Sequence, residues 1–301
     1  MKAPIALFTY NRLSHTKELV ESLQKNEMAS ESDLFIFSDG GKNEEDKQKV
    51  LEVRSYLQTI KCFKSVTIEE SLENRGLANS VIYGVSKILE HFDRIIVLED
   101  DFVLSPYFLR FMNEALDIYA DEEKVGCVNG HVMDLKTYQP ETFFIRHTDS
   151  VGWGTWRRAW KLFEPDGKKL LSELEERGLC DVFNMDGTYP FIKMLRKQIA
   201  GQNSSWAIRW RASMLLNDKV SINAGKSLVE HRGSDGSGTH CGKGELFPAK
   251  LFSERPLCIV KEEPIETPEA RRVMKRMYRW YNSKIHKAWI EISYRIRLLC
   301  V

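Results

Sequence analysis

The chain has 301 residues, 43% hydrophobic and 29% charged, which is enough apolar content for a sizeable core and too much for a disordered or fibrous protein. Its 44 Lys and Arg against 43 Asp and Glu give a formal net charge of +1, so no global field draws it to nucleic acid and any electrostatic function has to be local. No window approaches the roughly 20 consecutive apolar residues of a spanning helix. The N-terminal run lacks a basic n-region and a cleavage site, so no signal peptide is expected. Six cysteines (Cys62, Cys127, Cys180, Cys241, Cys258, Cys300) lie far apart without a Cys-x-x-Cys pair, which points to reduced thiols in a cytoplasm.

The chain opens with a short apolar run, Ile5 to Phe8, that reads as a buried strand and ends in Thr9-Tyr10-Asn11-Arg12. His15 to Gln24 then carries apolar residues at helical spacing. Leu34 to Phe37 reads as a strand closed by Ser38-Asp39-Gly40-Gly41, Glu44 to Thr59 as a helix, and Ser65 to Ile68 as a shorter strand. Leu77 to His91 is a further helix, and Arg94 to Leu98 a strand closed by Glu99-Asp100-Asp101. Pro106 suits the start of a helix reaching about Ala120, and Val125 to Val128 adds a strand. Strands alternating with helices predict an α/β, Rossmann-like, mostly parallel sheet with helices on both faces. Ligands of such sheets sit beyond the carboxyl ends of the strands, and here three polar strand ends converge on one crevice.

From Gly130 to His240 the periodicity weakens and Trp, Gly and Arg cluster, notably in Gly152-Trp153-Gly154-Thr155-Trp156 and Ser204-Ser205-Trp206-Ala207-Ile208-Arg209-Trp210; the second half of a binding site is expected here. Gly233 to His240 holds three glycines and three hydroxyl residues, a loop with little to bury and suited to a lid. After Glu266 the sequence turns basic and aromatic, with Arg271, Arg272, Lys275, Arg276, Arg279, Lys284, Lys287, Arg295 and Arg297 interleaved with Tyr278, Trp280, Trp289 and Tyr294. Two readings fit: a basic amphipathic extension lying on an anionic surface, or solvated helices packed on the domain.

A carboxylate cluster directly after an Ile-Ile-Val-Leu strand places hard oxygen ligands on a rigid element. Mg²⁺ or Mn²⁺ prefers one or two such carboxylates and fills its other positions with diphosphate oxygens and water. The alternative is an acidic cap for the helix at Pro106. Asp39 can accept hydrogen bonds from a base or ribose, with Gly40-Gly41 allowing close backbone approach, or it can form an ordinary Asp-Gly turn. Arg75-Gly76 ahead of a helix presents a guanidinium and a helix N-terminus to phosphate, or else a surface-loop arginine.

Six ordered segments together resemble bacterial family 2 glycosyltransferases: Phe8 to Arg12, Ser38-Asp39-Gly40, Asn74 to Ser80, Leu98 to Asp101, Gly152 to Trp156 and Trp206 to Trp210. The resemblance runs from about residue 3 to residue 241. The Glu-Asp-Asp triplet is also similar to that of the N-acetylglucosaminyltransferase I type. The resemblance implies an inverting, metal-dependent GT-A enzyme for hexosyl or N-acetylhexosaminyl transfer. Residues 1–130 would form its nucleotide-sugar half, 131–260 its acceptor half and 261–301 a basic helical extension. By the same resemblance Asp101 binds the metal, Glu99 and Asp100 touch donor sugar or ribose, and Asp39 with the Thr9, Asn11 and Arg12 turn holds the nucleoside. Trp153, Trp206 and Arg209 then belong to the sugar and acceptor pocket. Aromatic faces suit pyranose rings, although tryptophans serve cores as readily.

The family's usual aspartate before the Ser-Trp-Ala-Ile-Arg-Trp run is replaced here by Ser204, which cannot act as a base unaided. Either Asp235 substitutes as general base, or the enzyme is slow or inactive. His240 would complete the metal shell or shape the lid, or has no role. The expected partners are a nucleotide-sugar donor, a glycan or glycolipid acceptor and an anionic membrane surface at the inner face of the cytoplasmic membrane; nucleic acid is not expected. Competing readings are a non-catalytic GT-A binding protein and a sugar nucleotidyltransferase, the latter disfavoured because the first strand lacks a glycine-rich loop after it.

Overall fold

Successive side chains of a strand point to opposite faces, and the first strand, β1 (Ile5–Thr9), uses both. Ile5 and Leu7 enter one apolar cluster and Ala6 and Phe8 another, so β1 is central and covered on both sides. The computed structural model describes residues 2–136, 138–233, 249–286 and 288.

The first part of the chain follows the expected alternation: α1 (Leu13–Gln24), β2 (Asp33–Ser38), α2 (Glu44–Leu57), β3 (Ser65–Glu70), α3 (Leu77–Leu89), β4 (Arg94–Glu99), the short β5 (Phe102–Leu104), α4 (Phe108–Ile118) and β6 (Val125–Asn129). The helix expected from Pro106 starts two residues later, at Phe108. The second part, where periodicity is weak, is also ordered. It contains β7 (Thr142–Ile145), β8 (Trp153–Trp156), α5 (Arg157–Trp160), α6 (Gly167–Glu176), α7 (Cys180–Phe183), α8 (Phe191–Ile199), α9 (Trp206–Leu216), β9 (Val220–Ala224), β10 (Val229–His231) and α10 (Pro268–Asn282).

The main sheet has the order β3-β2-β1-β4-β8-β6-β9-β7. Strands β1 to β4 pair in parallel, as do β6 and β9, whereas β8 runs antiparallel to β4 and β6, and β7 antiparallel to β9. The α/β, mostly parallel expectation therefore stands, with β7 and β8 inserted against the common direction. Helices α1, α2 and α4 cover one face, and α3, α5 and α9 the other. A third apolar cluster lies under α6, α8, α9 and α10.

Helix α10 packs on the domain. Its apolar stripe, Ala270, Val273, Met274, Met277, Tyr278 and Tyr281, is buried in that third cluster, while Arg272, Arg276 and Arg279 face outward. Arg271 and Lys275 pair with Asp186, and the Lys275 contact is 2.8 Å. A helix whose apolar face is used internally does not lie on a membrane through that face. Lys287, Trp289, Tyr294, Arg295 and Arg297 lie outside the described residues. No helix among the described residues is long and apolar enough to cross a membrane.

Candidate active site

The carboxyl ends of β1, β2, β4 and β6 open onto one crevice of about 870 Å³. Glu99, Asp100 and Asp101 form its floor at the end of β4. Asp100 and Asp101 are buried, and Arg12 from the turn after β1 pairs with both, at 2.9 Å from Asp101 Oδ2. Burial alone would lower the Arg12 pKa, but the two aspartates hold the guanidinium above its ordinary value. Arg12 is thus the counter-ion of the acidic cluster; two adjacent buried carboxylates require such a cation. Burial, with Asp101 and Asp100 adding repulsion, raises Glu99 to about 8. Desolvation also raises Asp100, against the pull of Arg12.

One guanidinium against three carboxyl groups leaves the cluster short of positive charge. Asp100 Oδ2 and Asp101 Oδ1 are buried without a hydrogen-bond partner. Among the described residues no group of three or more His, Cys, Asp or Glu forms a metal cage. Two orphaned carboxylate oxygens in an under-neutralised patch nonetheless fit Mn²⁺ or Mg²⁺, which takes few protein ligands. The antiparallel pair β5–β10 brings His231 Nε2 to 3.7 Å from Asp101 Oδ2. Gly233 packs against the same carboxylate so closely that a Cβ there would collide with it. His240 and Asp235, the expected shell histidine and substitute base, lie outside the described residues, as does the rest of the expected lid.

Asp39 is committed to its own loop. Its Oδ1 accepts from the backbone N–H of Gly40 (2.9 Å) and Arg75 (2.8 Å), and its Oδ2 from Gly76 N–H (2.9 Å) and Asn74 Nδ2 (3.1 Å). Four donors match the roughly four lone-pair sites of a carboxylate. A bond to a base or ribose would be a fifth, made by sharing. Gly40 and Gly41 do not open the backbone to a ligand, because the space beside them is filled by Glu73 and Lys47. Thr9 is buried at the crevice wall with Oγ1 unpartnered, and Asn11 is turned to Asp46, with Nδ2 donating at 2.8 Å.

Three of the expected site residues do not line this crevice. The Arg75 guanidinium lies 4.3 Å from the Tyr83 ring centroid and 3.9 Å from Glu69, beside the crevice; only the α3 N-terminus at Gly76 lines it. Trp153 has no exposed surface and stacks on Trp206 at 5.0 Å within a cluster that includes Trp160 and Trp210. Trp206 alone of this group faces the crevice, where it also lies against Glu99. Arg209 donates to the carbonyls of Ser205 and Pro165, away from the crevice. The helical repeat explains this: Ala207 and Arg211 share a face four residues apart, and Arg209 sits about 200° from either.

The other side of the crevice contains residues that the sequence did not single out. His131, two residues beyond β6, places Nδ1 at 2.7 Å from Asp149 Oδ2, and Asp149 Oδ1 accepts from the N–H groups of Ser150 (2.7 Å) and Val151 (3.3 Å). Burial would raise the Asp149 pKa, but His131 holds it below the ordinary carboxylate value. His147, Tyr189, Phe191, Arg211 and Tyr278 complete this end, and Ser204 is exposed at the rim ahead of α9. No sequence signal marks His131 and Asp149 as partners, because they meet only through the arrangement of β6 and the loop before β8.

No family model matches this sequence, and no curated protein matches it. Among solved structures, TarS of S. aureus aligns at 15% identity over 55% of this chain and 30% of that protein, with a TM-score of 0.40. The mannosyltransferase PcManGT from Pyrobaculum calidifontis, solved with GDP-Man and Mn²⁺, aligns at 11% identity over 72% of this chain and 70% of that one, with a TM-score of 0.38. GalNAc-T7, solved with UDP, GalNAc and Mn²⁺, aligns at 10% identity over 54% of this chain and 37% of that one, with a TM-score of 0.37. The chain thus spans under a third of the length of TarS. Likeness at these TM-scores carries no functional inference.

Proposed function

We propose that this chain is an inverting GT-A-type glycosyltransferase. It moves a hexose or N-acetylhexosamine from a nucleotide-sugar, a UDP-sugar in the first instance, to a hydroxyl of a surface glycan or glycolipid. The observation that supports this reading is one crevice with an under-neutralised acidic patch at the strand ends and a carboxylate-oriented imidazole on its other side. The β1 to β4 half takes the donor, and the half built after residue 130 takes the acceptor.

Asp101, with Asp100 beside it, is the ligand for Mn²⁺ or Mg²⁺, which when bound supplies positive charge to a nucleoside-diphosphate leaving group. Glu99, beside Asp100 on the crevice floor and against Trp206, contacts a donor-sugar hydroxyl. Trp206 offers an aromatic edge for the ring. The 2.7 Å contact to Asp149 fixes the His131 proton on Nδ1, which leaves Nε2 to take the acceptor hydroxyl's proton. The acceptor oxygen then attacks the anomeric carbon opposite the leaving group. On this reading His131, oriented by Asp149, does the work that Ser204 cannot.

Calorimetry with UDP- and GDP-sugars, with and without Mn²⁺, followed by assay of UDP release, tests the proposal. The expected result is Mn²⁺-dependent binding of one donor that Asp101→Asn abolishes. Full donor affinity in Asp101→Asn would overturn the site. Donor binding without turnover on any acceptor would instead make the chain a nucleotide-sugar-binding protein.

A further inference from the structure

The crevice contains a buried cation that the transfer chemistry above does not use. Arg211 on α9 is 4% exposed. One of its terminal nitrogens, Nη2, donates to the Phe183 carbonyl at 2.9 Å, and its guanidinium lies 3.4 Å from the centroid of Phe191. Its other terminal nitrogen, Nη1, is buried without an acceptor. Among the described residues no carboxylate forms a direct ion pair with Arg211; the Asp149 carboxylate, bonded to His131, Ser150 and Val151, and the Tyr278 hydroxyl favour its charge from nearby. His147, 8% exposed, contacts the Tyr278 hydroxyl through Nε2 at 2.9 Å, while its Nδ1 is buried without a partner. Both side chains line the crevice among Tyr189, Phe191 and Met194.

Arg211 is withdrawn from water with the Asp149 carboxylate and the Tyr278 hydroxyl near it, yet its Nη1 has no acceptor, and an oxyanion supplies that missing acceptor. The aromatic rings around it suit the apolar face of a sugar. We propose that this end of the crevice is an anion subsite for the acceptor, with Arg211 Nη1 and His147 Nδ1 binding a carboxylate or phosphate group carried on a sugar. The word acceptor rests on the transferase reading; the anion site stands on Arg211 and His147 alone.

The test is a calorimetric titration of the full chain with methyl glucuronoside, glucose 6-phosphate and methyl glucoside, each with and without saturating UDP and Mn²⁺. One charge-assisted hydrogen bond predicts that an acidic ligand binds at least about ten-fold more tightly than the neutral one. That preference should persist under UDP and vanish in Arg211→Met. The glucuronoside and phosphate arms show which oxyanion is preferred. Equal affinity for acidic and neutral ligands, no binding of either acidic ligand, or a preference surviving Arg211→Met would overturn the proposal. Displacement of the acidic ligand by UDP would also overturn it, by assigning the anion to the donor. The wild-type comparison decides the matter even without a folded Arg211 variant, and His147→Gln should weaken the same preference. UDP failing to bind while the acidic preference holds would sink the transferase reading and leave the subsite intact.

Discussion

Arg12 and Arg211 line the same crevice under opposite electrostatic conditions. Arg12 joins two buried aspartates at the ends of β1 and β4, where the cluster still has more acid than base. Arg211 lies against Phe191 and Phe183 with the Phe183 carbonyl for Nη2 and no acceptor for Nη1, and burial pulls it down to about 10 against the pull of Tyr278 and Asp149. The acidic end is short of a cation, and at the aromatic end Arg211 Nη1 is short of an acceptor. On the proposed reading the acidic end takes a metal-assisted diphosphate and the aromatic end an acidic group.

The largest expected effect tests the chemistry between these ends. His131→Gln should lower turnover by about 10²- to 10⁴-fold, the usual contribution of a general base, while donor affinity measured by calorimetry stays unchanged. A matching loss of donor affinity would place His131 in the donor half instead. Next, the two arginines should respond oppositely to the same substitution. Arg12→Met removes the guanidinium paired with two buried carboxylates and should cost about 3–5 kcal/mol of stability in a denaturant titration, part of it recovered on adding Mn²⁺. Arg211→Met removes a cation that no described carboxylate pairs with, and should change stability by no more than about 1 kcal/mol in either direction. Equal costs at the two positions would break the contrast.

The smallest effect concerns the clamp that holds α10 to the part of the chain built after residue 130. Asp186 is held at about 2, chiefly by its bond to Arg271 against a desolvation that would raise it, with Lys275 adding to the lowering. Its folded pKa lies below the ordinary aspartate value of 3.8, so its contribution is fully present above about pH 4 and is lost as pH falls through 2. The group is 37% exposed, so solvent screening limits the contribution to less than about 1 kcal/mol. Asp186→Asn should therefore melt slightly below the wild type at pH 7 and together with it near pH 2. A gap that persists at pH 2 would assign the effect to packing.

The acidic end was largely legible in the sequence. Each of its strands is a short apolar run, and each functional group follows its strand within a few residues, so local pattern and chain position together locate it. Glu99, Asp100 and Asp101 needed no more than that. The roles of Arg12, Arg75 and Asp39 were less legible, because the direction of a long side chain or the filling of a carboxylate's lone pairs depends on neighbours distant in sequence. Trp153 shows the same limit: a Gly-Trp-Gly segment looks like a ligand loop, yet it is a strand packed between β4 and β6. α10 looked suited to a surface because its amphipathicity is plain, but only the third apolar cluster shows what its apolar face covers.

The sequence by itself determined the α/β class, the helix and strand order through β6 and the acidic strand end, since hydrophobic periodicity and strand-end chemistry are local properties. Tertiary structure alone decided that His131 meets Asp149, that His147 meets Tyr278, and that Arg211 rather than Arg209 faces the crevice. His131 and Asp149 meet through β6 and the loop before β8, whereas His147 and Tyr278, 131 positions apart, and Arg211 come together when α9 and α10 close over the sheet, so their chemistry depends on packing and not on any pattern along the chain.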